Sequence, residues 1–406
     1  MSTVKGTVRR RARRTAALAA ATAAVILVAG CSSGDSGKPS PLLPTSSGTA
    51  PSGGPPATAS AKPSTTASAP APPAKGTAKV TGTVATGLSA PWGVVQLPDG
   101  GLLVASRDNG RISRVDMSKH TVTTIGTVPG VTHTQGGENG LLGLALSPDF
   151  GSDHLVYAYF STESDNRIAS MIYDPSRPKD EQLGAPDTIL RDIPTGTLHD
   201  GGRIAFGPDG MLYAGTGETG QRQLAQNMSS LGGKILRMTP DGQVPPDNPT
   251  PGSLVYSPGH RNVQGLAWDA DGRLWASEFG QDTWDELNLI KPGQNYGWPV
   301  VEGIAHRAGY VDPVEQWHTD VASPSGIAYA AGCIWMAALK GERLWRIPLA
   351  GGKPSAAPQA FFTNKYGRLR TVVALDDHTL LLTTSNTDDR GTPHPGDDRI
   401  LEVTVT

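Results

Sequence analysis

Residues 263–280, VQGLAWDADGRLWASEFG, contain the phrase that decides the fold: an apolar strand, an Asp-Gly turn and a second apolar strand. Five further copies begin at Pro91 (PWGVVQLPDGGLLVASRDNGRISRVD), Leu141 (LLGLALSPDFGSDHLVYAYF), Gly202 (GRIAFGPDGMLYAGTG), Ser325 (SGIAYAAGCIWMAAL) and Arg370 (RTVVALDDHTLLLTTS). The turns recur at roughly fifty to sixty residues, which is close to the spacing of four-stranded propeller blades. Six copies predict an all-β, six-bladed β-propeller.

Other all-β architectures explain these repeats less well. A β-sandwich does not repeat at this period, and a parallel β-helix uses much shorter coils. In a propeller, the last strand, residues 399–406, is expected to complete a blade with residues 78–86. Such closure removes exposed sheet edges.

The N-terminal residues have the pattern of a targeting signal. The first fourteen residues hold six basic and no acidic side chains, and an apolar run follows from Ala16 to Ala29. This pattern is typical of a signal peptide, and the run is too short for a good membrane span. Residues 28–31, VAGC, resemble the bacterial lipobox, so residues 1–31 are interpreted as a lipoprotein signal peptide with a lipid anchor on Cys31. The expected location is the extracytoplasmic side of the cell membrane, with the export route left open between Sec and twin-arginine.

Residues 32–77 are almost wholly Ser, Thr, Pro, Ala and Gly. They lack the apolar side chains that offset the entropy of ordering, so a disordered linker is predicted ahead of a propeller domain at 78–406. Removal of residues 1–30 takes away six basic groups and changes the formal net charge from −2 to −8, which argues against nucleic acid as a partner. Cys333 is the only cysteine besides Cys31, so a disulfide framework or a cysteine metal cluster is excluded, and a small core residue is expected there.

Candidate functional side chains stand beside the repeated strands. In a propeller the loops between blades gather at one mouth of the channel, so side chains at matching positions of successive repeats converge there. The candidates at such positions are Glu138, His199, Arg261, Asn262, Lys340, Arg368 and Arg370. A lone His before a strand is more often a turn residue, and an Arg-x-Arg pair is usually solvated. Their joint occurrence at equivalent loop positions indicates one shared pocket.

These side-chain types predict specific chemistry. Histidine suits base catalysis because its unperturbed pKa lies near neutrality, and arginine and lysine suit an oxyanion or a polyanionic ligand. Residues 278–286 offer carboxylates and backbone carbonyls, which are the hard oxygen ligands that Ca²⁺ prefers, but without EF-hand spacing. Residues 215–220 match G-x-G-x-x-G without a βαβ unit, which argues against dinucleotide binding.

Longer runs around these residues carry a family resemblance. GENGLLGLALSPDF, LHDGGRIAFGPDGMLYAGTGE, GHRNVQGLAWDADGRLWASEFG and DELNLIKPGQNYGWP together resemble the soluble pyrroloquinoline quinone (PQQ) dependent glucose/aldose sugar dehydrogenases. The resemblance covers residues 79–406 and implies a six-bladed propeller, in agreement with the repeats. It also implies oxidation of an aldose at its anomeric hydroxyl to a lactone, with PQQ and Ca²⁺ as cofactors and an external electron acceptor.

The resemblance implies a role for each candidate. His199 would be the general base, Arg261 would stabilise charge on the quinone oxygen, and Asn262 would hydrogen-bond nearby. The residues implied to bind the cofactor are Glu138, Asn262, Lys340, Arg368 and Arg370. The residues implied to form or support the metal site are Gly280 and Gln281 through their carbonyls, and Asp285 and Glu286.

Three residues depart from the family's pattern, the first two in a way that puts the sugar contacts in doubt and the third in the metal loop, where a carbonyl ligand survives the change. Glu138 stands where many members have Gln, Leu198 stands where the glucose-oxidising type has Asp, and Gln281 replaces Pro. The short loop between Trp317 and Pro324 leaves open whether His318 or Thr319 flanks the cofactor. Two other functions stay open: a non-catalytic cell-surface binding propeller, and a Ca²⁺-dependent lactonase, since propellers host many functions.

Overall fold

Six sheets form the blades of a propeller in the computed structural model, which describes residues 71–406. The first strand, β1 (Ala78–Ala85), belongs to the last blade. Blade 1 contains β2 (Pro91–Gln96), β3 (Leu102–Ser106), β4 (Arg111–Asp116) and β5 (Thr121–Thr127). Blade 2 contains β6 (Leu141–Leu146), β7 (Leu155–Ser161), β8 (Asn166–Ile172) and β9 (Asp187–Ile193), with the short helix α1 (Phe150–Asp153) between β6 and β7. Blade 3 contains β10 (Ile204–Phe206), β11 (Leu212–Gly215), β12 (Lys234–Met238) and β13 (Val255–Pro258), with a 3₁₀ helix at Arg222–Gln226.

The second half continues the pattern. Blade 4 contains β14 (Val263–Trp268), β15 (Leu274–Glu278), β16 (Trp284–Ile290) and β17 (Glu315–His318). Blade 5 contains β18 (Pro324–Ala330), β19 (Cys333–Ala338), β20 (Arg343–Ala350), β21 (Lys353–Pro354) and β22 (Gln359–Phe361). Blade 6 contains β23 (Leu369–Ala374), β24 (Thr379–Thr384), β25 (Ile400–Val405) and β1. The predicted six-bladed propeller is confirmed.

The repeated phrases of the sequence are the two inner strands of each blade. The first strands, β2, β6, β10, β14, β18 and β23, contact one another in turn and close a ring around the channel. Strands buried on both faces become continuously apolar, which explains why these phrases are the ones that repeat. In blade 4, for example, Val263 and Trp275 are fully buried.

The last blade closes the ring by joining the two ends of the domain. β1 pairs antiparallel with β25, from Ala78 opposite Val405 to Ala85 opposite Ile400, as the sequence predicts. The residues just before β1 also touch the propeller, since Arg346 Nη2 donates to the Pro73 carbonyl at 2.9 Å. The end of the segment expected to be a linker therefore packs on blade 5. The predicted signal peptide, Cys31 and linker residues 32–70 lie outside the described residues.

The core lies between blades. Each apolar cluster joins the facing sides of neighbouring blades, and Trp92, Trp275 and Trp335 are fully buried in these layers. Burial of each such side chain contributes on the order of 2–3 kcal/mol. Cys333 is a buried core residue, as expected, and burial raises the pKa of its thiol to about 11. Within residues 71–406, the helices are too short or too polar to span a bilayer.

Candidate functional site

A cavity of about 350 Å³ lies at the end of the channel where the first strand of each blade begins. Because the first and second strands are antiparallel, the end of the second strand reaches the same face. Nine of the eleven predicted site residues that the structure describes line this cavity: Glu138, His199, Arg261, Gly280, Gln281, Asp285, Lys340, Arg368 and Arg370. Side chains separated by more than 200 residues in the sequence therefore share one site.

Two predicted residues, Asn262 and Glu286, do not line the cavity. Asn262 is fully buried behind it, where its Oδ1 accepts from Gly201 N at 2.9 Å. Glu286 follows Asp285 directly on β16, and successive side chains of a strand point to opposite faces. Asp285 reaches the cavity, whereas Glu286 accepts a hydrogen bond from Gly303 N at 2.7 Å. The predicted acidic pair is thus split between the two faces of blade 4.

The cavity rim resolves one alignment question. Thr319 lines the cavity, whereas the His318 ring stacks on Trp284 at 4.2 Å. Leu198 also lines the cavity and is 41% exposed, which is unusual for a large apolar side chain. The rim therefore offers an apolar surface next to His199.

One ring nitrogen of His199 is paired with a carboxylate, and within residues 71–406 the other has no hydrogen-bond partner. Its Nδ1 lies 2.5 Å from Glu218 Oε1. Since an ionised carboxylate only accepts, Nδ1 carries the proton and Nε2 keeps its lone pair in the neutral ring. The backbone has φ +59, and a Cβ on Gly217 would lie 1.7 Å from the His199 carbonyl oxygen. Gly217, part of the G-x-G-x-x-G match, is therefore needed for close backbone approach rather than for a dinucleotide.

Glu138 organises the groups around the base. Its Oε2 accepts from His199 N at 3.0 Å and from Asn262 Nδ2 at 3.3 Å, and its Oε1 accepts from Arg390 Nη1 at 2.8 Å. Burial raises the pKa of Glu138, but attraction to Arg390 and His199 outweighs burial and lowers it. Glu138 is thus an ionised side chain whose oxygens both hold neighbouring donors.

The cavity lining is strongly cationic. Its basic side chains are Arg107, Arg261, Lys340, Arg368, Arg370 and Arg390, against the two carboxylates of Glu138 and Asp285. Behind the lining, Asp388 accepts from Arg368 Nε at 3.0 Å and from Arg370 Nη2 at 3.1 Å. Burial raises the pKa of Asp388, but Arg370 and Arg368 outweigh burial and bring it to about 2. Within residues 71–406 Lys340 has no ion pair, and this arrangement suits a ligand with several negative charges.

Arg261 is a buried cation with one donor that lacks a partner within residues 71–406. Its guanidinium lies over the Trp298 ring at 5.5 Å, and Nη1 donates to the Phe279 carbonyl at 3.3 Å. Burial lowers the pKa of Arg261, and the nearby carboxylates of Glu218 and Glu138 oppose the decrease. Its buried Nε has no acceptor within residues 71–406. An unpaired buried donor costs about 1–3 kcal/mol, which a ligand oxygen would recover.

The loop after β15 and the start of β16 contribute Gly280, Gln281 and Asp285 to the cavity lining. Glu302 Oε1 fixes the loop by accepting backbone N–H groups, including Gln281 N at 2.8 Å and Trp284 N at 3.0 Å. Gly280 N donates to Asp285 Oδ1 at 2.9 Å. Among residues 71–406 no donor reaches the Gly280 and Gln281 carbonyls. Burial raises the pKa of Asp285 to about 6, which means that the charged form is disfavoured, and a bound hard cation would offset that cost.

Sequence reasoning missed several residues of this site. Arg107, Glu218 and Asp388 each come within four residues of the end of an inner second strand, at β3, β11 and β24. That position is the signal that could have identified them. Glu302 and Arg390 lie in long loops outside the repeated phrases, where the sequence offers no comparable signal.

Known proteins resemble this chain over most of the propeller. The model of the glucose/sorbosone dehydrogenase family matches residues 88–392. Quinoprotein glucose dehydrogenase B of Acinetobacter calcoaceticus is 33% identical over 259 residues, which are 56% of this chain and 54% of that protein. Aldose sugar dehydrogenase YliI of Escherichia coli (strain K12) is 33% identical over 268 residues, which are 60% of this chain and 71% of that protein. The chain thus matches about half the length of the first relative.

A solved structure resembles the chain over nearly all of the described residues. It is the PQQ-bound form of an aldose sugar dehydrogenase from Streptomyces coelicolor, which is 64% identical. The match covers 83% of this chain and 100% of that chain, with a TM-score of 0.82.

Proposed function

This chain belongs to the glucose/sorbosone dehydrogenase family, and we propose that it oxidises the anomeric hydroxyl of aldoses to lactones with PQQ and Ca²⁺ as cofactors. One observation carries the proposal. The His199 ring, whose Nε2 is free to take a proton, lines the same cavity as six cationic side chains. Removal of a proton from the sugar requires a base, and an anionic quinone that accepts the hydride requires a cationic binding surface. Both are present in this cavity. The electrons then pass to an external acceptor.

The cationic lining fits PQQ, which carries three carboxylates. Lys340, Arg368 and Arg370 would hold these carboxylates, and the unpaired Nε of Arg261 would donate to an oxygen of the quinone. PQQ, when bound, supplies the hydride acceptor for the sugar carbon. The similarity of this chain to the PQQ-bound aldose sugar dehydrogenase of Streptomyces coelicolor supports this choice of cofactor.

The oxygen-rich loop fits Ca²⁺. The carbonyls of Gly280 and Gln281, together with the Asp285 carboxylate, would provide its ligands, because they line the cavity and the carbonyls accept no hydrogen bond within residues 71–406. Glu286 is left out of this ligand set because it faces the other side of blade 4. The ion would contribute positive charge next to the cofactor oxygens.

The chain's own residues perform the proton transfer. His199 Nε2 takes the proton of the sugar hydroxyl, while Glu218 holds Nδ1–H and stabilises the resulting imidazolium. Glu138 fixes the backbone N–H of His199, and Gly217 permits its position. The fixed charge of Arg261 stabilises negative charge that develops on the acceptor side.

The substrate class is aldoses rather than glucose alone. Both carboxylate oxygens of Glu138 are already engaged, by Arg390 on one side and by His199 and Asn262 on the other. Leu198 contributes an apolar surface at the rim instead of a carboxylate. With few polar groups devoted to individual sugar hydroxyls, we expect several aldoses to be oxidised.

The test begins with protein stripped of metal, to which PQQ, Ca²⁺, a panel of aldoses and an electron-accepting dye are added. We expect sugar-dependent dye reduction that requires both cofactors. His199→Ala should abolish turnover and largely spare PQQ binding. His378→Ala, on the exposed turn between β23 and β24 at the other end of blade 6, serves as the control.

The other outcomes separate the alternatives. Near-normal turnover in His199→Ala would contradict the base assignment. Failure to bind PQQ would favour a binding propeller, and lactone hydrolysis that requires Ca²⁺ but not PQQ would favour a lactonase. PQQ binding without sugar turnover would redirect the search to other alcohols and refute the aldose assignment.

We also propose that the chain is exported and anchored to the cell membrane through a lipid on Cys31. The basic residues 1–14, the apolar run and the sequence VAGC at 28–31 support this proposal. Mass spectrometry of the mature N-terminus is expected to find a lipid-modified Cys31. Cys31→Ser should release the protein from the membrane fraction, and unchanged membrane association would contradict the anchor.

A further inference from the structure

Three side chains from separate loops meet beside the cavity. Asp108 follows β3, His133 lies between β5 and β6, and Asp389 follows β24. One potential ligand atom from each lies within 4.8 Å of the others. His133 Nε2 is 3.5 Å from Asp108 Oδ1 and 3.8 Å from Asp389 Oδ2.

The tautomer of His133 is fixed by the backbone. His133 Nδ1 lies 2.8 Å from the Asn139 carbonyl oxygen, which can only accept, so Nδ1 carries the proton. In the neutral ring, Nε2 then turns a lone pair towards two carboxylates. Arg107 Nε donates to Asp108 and Gly136 N donates to Asp389, but within residues 71–406 no other donor reaches these carboxylates, and a cation between them and Nε2 would relieve the remaining repulsion. A ring N–H donating to a carbonyl is also the usual arrangement that orients a metal-bound histidine.

The separations are close to those around a small metal ion. Ligand atoms about 2.1 Å from a tetrahedral ion are separated by roughly 3.4 Å. The Nε2–Asp108 separation of 3.5 Å matches this value, and the Nε2–Asp389 separation of 3.8 Å requires a small inward shift of the exposed Asp389 side chain. One imidazole with two carboxylates suits Zn²⁺-like transition metals, whereas Ca²⁺ favours oxygen ligands alone. We propose that His133, Asp108 and Asp389 bind a divalent transition-metal ion of the Zn²⁺ class, separate from the Ca²⁺ proposed in the cavity.

The ion would tie together three loops at the cavity rim. Arg107, which lines the cavity, donates from Nε to Asp108 Oδ1 at 2.6 Å, and a second lone pair on that oxygen leaves room for a metal. Asp389 accepts from Gly136 N at 3.0 Å, and its neighbour Arg390 pairs with Glu138. The site would therefore join blade 1, the β5–β6 loop and blade 6. This inference does not rest on the proposed sugar oxidation.

Zn²⁺ binding to the purified, metal-stripped chain tests the site by calorimetry, in excess Ca²⁺ and without PQQ. His133→Asn keeps a side-chain N–H for the Asn139 carbonyl and removes the Nε2 ligand. Asp389→Asn removes one carboxylate from a loop residue that is 36% exposed, so a folded variant is expected. The matched control is His306→Asn, because His306 is 85% exposed and pairs with a single carboxylate, Asp312.

The expected result is one Zn²⁺ per chain, with affinity at least roughly tenfold weaker in His133→Asn and in Asp389→Asn. His306→Asn should bind as tightly as the unaltered chain. The same Zn²⁺ concentration should also raise the thermal midpoint of the unaltered chain by more than that of His133→Asn. The proposal is overturned if the unaltered chain binds no Zn²⁺. It is equally overturned if both site variants bind Zn²⁺ with unchanged affinity.

Discussion

Replacement of Glu218 by Gln tests how the protein prepares its base. Glu218 Oε1 accepts the Nδ1–H of His199 at 2.5 Å, and the carboxylate is 1% exposed. Gln keeps an oxygen that can accept the same hydrogen bond, but it removes the negative charge. The substitution therefore separates orientation of the ring from stabilisation of the imidazolium.

The expected loss can be worked from this contact. A hydrogen bond to a charged partner contributes about 1.5–3 kcal/mol, and each 1.36 kcal/mol changes a rate tenfold. If the charged hydrogen bond stabilises the transition state in which the His199 ring gains its proton, loss of the charge lowers kcat on the order of 10- to 150-fold. The buried Glu218 Oε2 has no partner within residues 71–406, so an amide nitrogen there would be an unpaired donor. That defect would lower the free energy of unfolding by about 1–3 kcal/mol.

Steady-state kinetics with PQQ and Ca²⁺ saturating measure the first effect, and chemical denaturation measures the second. We expect kcat to fall while KM and the affinity for PQQ change little, because Glu218 does not line the cavity. Asp312→Asn is the matched control, since it removes the charge from an exposed His–Asp pair at His306. It should leave kcat unchanged.

Two results would refute this reasoning. A kcat within a factor of about two of the unaltered enzyme would mean that the carboxylate charge does not stabilise the protonated ring. A loss as large as that in His199→Ala would mean that the amide fails to orient the ring, so that geometry rather than charge dominates.

Two further predictions concern buried carboxylates. Asp388→Asn should lower the free energy of unfolding of the cofactor-free protein by about 3 kcal/mol, because Arg370 loses a buried counter-ion. PQQ should then raise the thermal midpoint of this variant more than that of the unaltered protein. Equal thermal midpoints of the two cofactor-free proteins would contradict the prediction. Burial raises the pKa of Glu286 to about 8, so the folded state holds a proton that the unfolded state releases near its ordinary value of 4.5. Stability therefore falls as pH rises from about 4.5 to 8, and Glu286→Gln should be the more stable protein at pH 8 but not below pH 4.5. Thermal scans at both pH values check this, and stabilisation by Ca²⁺ should persist in Glu286→Gln yet disappear in Asp285→Ala.

The inner strands of the blades were predictable from the repeats, whereas most outer strands were not; the exceptions are β25 and β1, whose pairing closes the last blade. The inner pairs are buried on both faces, so their apolar runs and the turns between them repeat legibly. An outer strand such as β9 has most of its residues partly or fully exposed, and β22 has three residues. Solvent-exposed positions do not require apolar side chains, so the outer strands lack the repeated apolar pattern of the inner strands although their backbones still form hydrogen-bonded pairs.

Placement in the cavity was predictable wherever loop position alone decides it. Arg261 and Arg370 reach the cavity because they stand where a first strand begins. Loop position alone could not predict the placement of Asn262 and Glu286, because neighbouring residues of an extended chain alternate between the two faces of the sheet. A resemblance that names a pair of adjacent acids does not say which one faces the ligand. Only the register of β16 with β15, with Glu278 opposite Glu286, assigns Asp285 to the cavity.

The residues that sequence reasoning missed follow from the same antiparallel geometry. If the start of each first strand faces the cavity, the end of each second strand must face it as well, so Arg107, Glu218 and Asp388 belong to the same set as His199 and Arg370. The pairing of Glu218 with His199 depends further on the left-handed backbone at His199 and the absence of a side chain at Gly217. A glycine beside an acid at the end of a second strand is therefore a signal for a positioned base in such a propeller. Residues 215–220 thus position Glu218 beside His199, which gives the G-x-G-x-x-G match a structural reason that involves no dinucleotide, as the lack of a βαβ unit predicted.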